Sequence, residues 1–388
     1  MKQRLAAMAV GLVAAAGPVL LPASPARADV IRDDEWHLRY LAVAEANRQT
    51  RGEGVTVAIV DRGVDATHED LTGSVLDPVY VRGTDQRVAD PDGHGTALAG
   101  AIAGHGHGDD QGAGVLGVAP GVKVLPVVVD TPIDRAPSAD ELADGVELAV
   151  EQKARVIVVG YSVAGSDRLA EAIRAARAAD AMVVAADGDQ PSRDFEPYPA
   201  AYEGVLAAVP LSRAGDVRVR STSGRRLGLG VPGFQIMTTN TGNRYRVDDG
   251  SASPGLLAGA VALVRAAYPD ATSAQIVRRL TLTAIDAGAK GIDPEYGLGR
   301  LDLVQALTRR LPEPSPSPSP SRTPAGVSQA AAPVAGPPPP PRSRGGYGWL
   351  LGLPLLAVVL VLAGYAAAAE RRIRISGRDE VDSVSVQS

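Results

Sequence analysis

The 388-residue chain has no cysteine and only 4% aromatic residues. Without cysteine there is neither a disulfide scaffold nor a thiolate-ligated metal site, and the redox compartment stays open. A dominant charge sign is also missing, since 39 Lys and Arg stand against 44 Asp and Glu for a net charge of -5. No interior basic block is interleaved with aromatics, so nucleic acid is not an expected partner. What is present is a 45% hydrophobic composition with 43 Gly and 30 Pro, too apolar for a disordered polymer. No internal repeat is evident. The length accommodates two or three domains, or one large α/β domain with tails.

The two ends predict the topology. Residues 1–28 read as a secretory signal: Lys2 and Arg4 form the charged start, Ala6 to Leu21 the apolar stretch, and Ala26-Arg27-Ala28 the small-x-small cleavage site. The mature chain then begins at Asp29, with Asp29 to about Ala46 as a short arm on the domain. Residues 349–369, Trp349 to Ala369, run for 21 residues without a charged side chain, enough for a transmembrane helix. Arg371, Arg372 and Arg374 follow, and the positive-inside tendency puts the tail, residues 370–388, in the cytoplasm and the body outside. The expected localisation is the cell membrane, single-pass, with the main domain (29–311) extracytoplasmic. Residues 312–348, with the Pro-Ser alternation from Pro314 to Ser321 and the run Pro337 to Pro341, form an extended spacer.

Within the body, Val55 to Val60, Val122 to Val129, Arg155 to Val159, Ala181 to Ala186 and Gly204 to Val209 are short, apolar, β-branched runs. Such continuity predicts strands buried on both faces. Ser138 to Lys153 and Asp167 to Ala179 carry a helical period between them. Strands alternating with helices predict an α/β fold, a parallel sheet covered by helices on both faces, with ligand sites off the carboxyl ends of the strands.

Three segments carry candidate chemistry. Asp61 ends the first strong strand before the turn Arg62-Gly63, where it is either a site carboxylate or a turn former. His94 lies between Gly93 and Gly95 ahead of a small-residue helix, an accessible ring or a helix-terminal one. Ser251 precedes the apolar helical run Leu256 to Ala267, as an exposed hydroxyl or an ordinary N-cap. Together they stand in the order Asp, His, Ser, one of the three chain orders of the serine-protease triad. His105 and His107 offer two imidazoles without an identifiable third ligand, so a glycine-rich loop is favoured over a metal site. His68 reads as structural, and no metal or cofactor is expected.

Ala58 to Asp65, Thr67-His68-Glu69-Asp70-Leu71, the His94-Gly95-Thr96 block and Gly117-Val118-Ala119-Pro120 resemble the motifs of subtilisin-family serine proteases, over about residues 31 to 308. The start Ile31-Arg32-Asp33-Asp34-Glu35-Trp36, the segment Asp293 to Gly299, the proline spacer and the C-terminal span resemble the mycosins, membrane-anchored proteases of type VII secretion. The resemblance implies that Asp61 orients and stabilises a histidinium, His94 is general base then acid, and Ser251 attacks the peptide carbonyl. Its implied partners are a protein or peptide substrate and the type VII secretion membrane complex.

Three departures accompany it. The family's Gly-Thr-Ser-x-Ala-x-Pro is replaced by Asp249-Gly250-Ser251-Ala252-Ser253-Pro254. Registering on Gly259 to Leu263 puts Ser251 on the nucleophile, whereas registering on Gly250 would put Ala252 there. Asp189 occupies the position of the oxyanion-hole asparagine, and losing one such donor typically costs about 10²- to 10³-fold in kcat. Gly160-Tyr161-Ser162 replaces the Ser-Leu-Gly that pairs with substrate backbone, a role main-chain groups could keep. A catalytically weak subtilisin-fold scaffold that binds and stabilises the secretion apparatus is therefore the alternative function.

Overall fold

The computed structural model describes residues 29–81, 90–129, 135–187, 197–217 and 227–312. The expected signal peptide, the spacer beyond Pro312, the transmembrane segment, the cytoplasmic tail and Asp189 lie outside the described residues.

The strands are β1 (Thr56–Asp61), β2 (Val79–Tyr80), β3 (His105–His107), β4 (Ala113–Leu116), β5 (Lys123–Val128), β6 (Val156–Val159), β7 (Met182–Ala186), β8 (Leu206–Leu211), β9 (Leu227–Pro232), β10 (Ile236–Asn240) and β11 (Arg244–Asp248). The α-helices are α1 (Val30–Asp34), α2 (Trp36–Tyr40), α3 (Val43–Ala46), α4 (His94–Ala103), α5 (Ala139–Glu151), α6 (Asp167–Ala178), α7 (Ser253–Ala267), α8 (Ser273–Thr283) and α9 (Leu303–Thr308). Seven strands form the main sheet in the order β2-β5-β1-β6-β7-β8-β9, and every pairing in it is parallel.

The apolar runs become strands because both of their faces are covered. Along β1, Val57 and Ile59 enter one core with Leu98 of α4 and Leu256 of α7, while Ala58 and Val60 enter the other with Leu142 of α5 and Leu169 of α6. In β6, Val156 and Val158 face the first core, Ile157 and Val159 the second. This alternation is the period-2 geometry of a strand between two helical layers. The expected parallel sheet with helices on both faces is the observed one.

Helix boundaries follow the capping chemistry. Ser138 and Glu141 form a capping box at the start of α5, and Ser166 caps α6 through the Leu169 N–H. Helix α7 starts later than a serine cap at Ser251 would give, at Ser253, with Ala252 as its N-cap residue and Pro254 in the first turn. Asp248 holds the residue just ahead of the helix instead, its Oδ1 accepting the Ala252 N–H at 2.8 Å.

The antiparallel hairpin β10–β11 packs on α4 and leads into α7. Thr238 and Thr239, both fully buried, donate their hydroxyls to the Ala97 and Thr96 carbonyls of α4 at 2.7 and 2.6 Å. The hairpin then delivers the chain to α7 at Asp248.

Candidate active site

The carboxyl ends of β1 and β6 meet where the sheet is deepest. Their register sets Val60 opposite Val159, so Asp61 and Gly160 are neighbours just beyond the last pair. Asp61 is 1% exposed. Its Oδ1 accepts the Arg62 N–H at 2.8 Å, and its Oδ2 accepts from His94 Nδ1 at 2.8 Å. Nδ1 being committed, Nε2 is the ring nitrogen left for other chemistry. Gly160 makes this approach possible: a Cβ there would collide with Asp61 Oδ2 and lie 3.0 Å from His94 Cε1.

Two acids fix the start of α4. Asp92 Oδ1 accepts the His94 N–H at 3.1 Å and Asp90 Oδ2 accepts the Thr96 N–H at 2.7 Å, answering two of the donors a helix leaves open at its N-terminus. Between Asp92 and His94 the chain turns through Gly93 at φ 73°, the left-handed region that glycine enters most readily. Arg62, 4% exposed, pairs with Asp92 and donates to the Arg135 carbonyl at 2.7 Å.

The electrostatics follow from this crowd of acids. Burial pulls the His94 imidazole down, but the Asp61 carboxylate and its hydrogen bond, with Asp248 and Asp92 behind them, push it up to about 9. Burial, followed by the Asp61 and Asp92 charges, raises Asp90 to about 7 against the bonds from Thr96. Asp61, Asp90 and Asp92 each bring an oxygen within 4.8 Å of the others, the spacing of a cation site. That charge is already answered, because Arg62 holds Asp92 and His94 holds Asp61.

Tyr161 closes one side, its ring 5.2 Å from the His94 ring centroid and the Arg62 guanidinium 5.2 Å from its own. Burial and then the Asp61 and Asp92 charges hold its phenol well above the ordinary value. Gly160, Tyr161 and Ser162 form a short segment beyond β6, before Val163 bridges Tyr198.

Ser251 lies two residues ahead of α7, partly exposed. Its hydroxyl donates to Asp248 Oδ2 at 2.6 Å. Ala252, the residue at issue in the serine register, is fully buried within the apolar core.

His68, His105 and His107 have structural partners. His68 is fully buried, with Nδ1 accepting the Asp70 N–H at 3.2 Å and Nε2 facing the Arg244 carbonyl at 3.0 Å. His107 Nδ1 faces Asp70 Oδ1 at 2.7 Å, and His105 Nε2 faces the Thr72 carbonyl at 3.0 Å. Where a glycine-rich loop was expected around His105 and His107, the chain instead forms the antiparallel β3–β4 pair.

The subtilase family (Peptidase S8) matches residues 52–299. The chain belongs to this family. A relative, the thermostable alkaline protease of Halalkalibacterium halodurans, is 33% identical over 270 residues, 68% of this subtilase and 71% of the relative. Among solved structures, MycP1 with its N-terminal propeptide removed is similar at a TM-score of 0.63 and 26% identity, covering 72% of this chain and 98% of that one. MycP3, a protease from the type VII (ESX-3) secretion system, gives 0.58 and 27%, covering 71% and 88%. The resemblance to subtilisin-family proteases and mycosins thus holds.

Sequence reasoning missed four residues of this subtilase's site: Arg62, Asp90, Asp92 and Asp248. The pair Asp90 and Asp92 carried a signal, since short acids just ahead of a small-residue helix are capping residues. Asp248 carried none, because its meaning depends on the hairpin that brings it to Ser251.

Proposed function

We propose that this subtilase is a membrane-anchored, extracytoplasmic serine endopeptidase of the mycosin type, associated with type VII secretion and cleaving an exported protein. The buried Asp61–His94 hydrogen bond at the carboxyl ends of β1 and β6 carries this reading. In it, Ser251 attacks the scissile carbonyl while His94 Nε2 takes its proton and then gives it to the leaving amine. Water hydrolyses the acyl-enzyme by the same proton path in reverse. Asp61 keeps Nδ1 protonated and stabilises the imidazolium. Asp189 stands at the sequence position of the family's oxyanion asparagine and can donate there only as the protonated acid, and the segment Gly160-Tyr161-Ser162 lines the substrate backbone. The burial of Ala252 supports Ser251 as the nucleophile. No cofactor is required.

The topology supports the location: a signal peptide over residues 1–28, a domain over 29–311, a proline spacer, and the uncharged span from Trp349 to Ala369 with arginines behind it. Similarity to MycP1 and MycP3 supports the association with secretion.

The Ser251 to Asp248 hydrogen bond favours a second reading, a weakly active scaffold for the secretion apparatus. A fluorophosphonate probe separates the two in the full chain purified in detergent. Labelling abolished by Ser251→Ala supports the endopeptidase. A folded wild type that stays unlabelled supports the scaffold, and labelling gained in Ala252→Ser overturns the register.

A further inference from the structure

Asp248 ends the β10–β11 hairpin with its side chain 1% exposed. Its two oxygens are divided: Oδ1 takes the Ala252 N–H at 2.8 Å, and Oδ2 takes the Ser251 hydroxyl at 2.6 Å. A serine hydroxyl has one hydrogen and a carboxylate can only accept. While this bond stands, Ser251 has no proton to offer His94. A second partner for the same Oδ2 is at hand, since Arg246 Nη2 lies 3.7 Å away. Arg246 is itself anchored, with Nη1 donating to the Asp92 carbonyl at 3.2 Å.

We propose that Asp248 is a positioning residue that locks the Ser251 hydroxyl in a resting state, and that release consists of Oδ2 exchanging the Ser251 hydroxyl for the Arg246 guanidinium. This rests on the reading of Ser251 as the nucleophile. The exchange moves one hydrogen bond and breaks no covalent bond, so the hairpin keeps its register while the hydroxyl turns to His94. Asp248 also acts on His94 through its charge. Among the described residues, the other charged and titratable groups around that ring are Asp61 and Arg62 at the end of β1, Asp90 and Asp92 before α4, and Tyr161 beyond β6.

The deciding variant is Asp248→Asn in the full chain purified in detergent. Asn keeps an oxygen for the Ala252 N–H and turns a donor toward Ser251, so the hydroxyl is freed. Fluorophosphonate labelling is expected to rise about ten- to a hundredfold, the worth of a hydrogen bond to a charged group, and Arg246→Ala to lower it. The His94 ring, followed by NMR of ¹³C-labelled histidine, is expected to titrate lower in Asp248→Asn and unchanged in Ser251→Ala. A folded Asp248→Asn protein that labels no faster than wild type overturns the lock. So does a His94 titration that shifts in Ser251→Ala, because Ser251 would then already be bonded to His94, and this readout needs neither catalysis nor a folded Asp248→Asn protein. Labelling that persists in Ser251→Ala would instead remove the nucleophile assignment itself.

Discussion

The two walls of the cleft are built by opposite means. On the β1–α4 wall several carboxylates are each tied to backbone N–H groups: Asp61 accepts from Arg62, Asp92 from His94 and Asp90 from Thr96, with Gly160 closing on the Asp61–His94 pair. On the α7 wall a single carboxylate, Asp248, holds both the Ala252 N–H and the serine hydroxyl. A wall fixed by many backbone donors is preorganised and costs little to hold at the moment of reaction. One fixed by a shared side chain can be switched. The sheet explains the difference, since β1 and β6 are paired along their length, whereas the Ser251 segment connects a two-stranded ribbon to a helix.

The largest effect should come from breaking the fixed wall at its centre. Asp61→Asn preserves the shape but turns the imidazole to the wrong tautomer, and kcat for peptide hydrolysis or labelling is expected to fall about 10⁴-fold. The same change removes the foremost of the influences that raise His94, so the residual activity should reach its plateau at lower pH than in the wild type. As the proposed general base, His94 has to be neutral and is pushed up to about 9, so the wild-type rate should climb through neutral pH toward that value. A pH–rate profile that leaves Asp61→Asn and the wild type with one midpoint would separate Asp61 from His94 function.

A smaller and sharper break is Gly160→Ala. Gly160 is not among the positive-φ residues, so its backbone accepts alanine. Only the contact with Asp61 Oδ2 and His94 Cε1 resists it. Displacing a catalytic pair by an ångström can cost about 10²-fold in rate. That loss should appear chiefly in kcat, and an alanine variant as fast as the wild type would show that the pair tolerates displacement.

How far the sequence reveals these walls follows from their chemistry. The fixed wall was legible, because buried parallel strands are continuous apolar runs and because Asp61 and His94 sit among glycines that mark close approach. Strand β9 was not, since Gly228, Gly230 and Pro232 break its apolar run, and it is held instead by its pairing to β8. The hairpin β10–β11 was also invisible: Thr238 and Thr239 are polar, and their burial depends on the carbonyls of α4 that their hydroxyls reach. Ser251 was legible as a residue but not as a bonded hydroxyl, because its partner is assigned by the hairpin register that sets Ile236 opposite Asp248.

The smallest expected effect concerns the arm at the back of the same fold, where acid and base are buried without catalytic purpose. Glu35, 1% exposed, receives the Leu116 N–H on both oxygens at 3.1 Å and Arg32 Nε at 3.0 Å. Burial outweighs these bonds and raises its carboxyl from 4.5 to about 9, so the folded arm favours the protonated acid. That preference stabilises the fold in full below about pH 4.5 and is lost as pH rises toward 9. Its neighbour His37 runs the other way: burial lowers the ring from 6.5 to about 3, so its contribution is full above 6.5 and fades as pH falls toward 3. Glu35→Gln keeps an oxygen for Leu116 while removing the ionisation. Thermal melting from pH 5 to 9 should therefore show a flatter decline than in the wild type, with the acid limb governed by His37 intact. An unchanged alkaline slope would mean that Arg32 holds Glu35 ionised in the folded arm, making the pair an ion pair that, unlike the dyad of the fixed wall, carries no pH signature of its own.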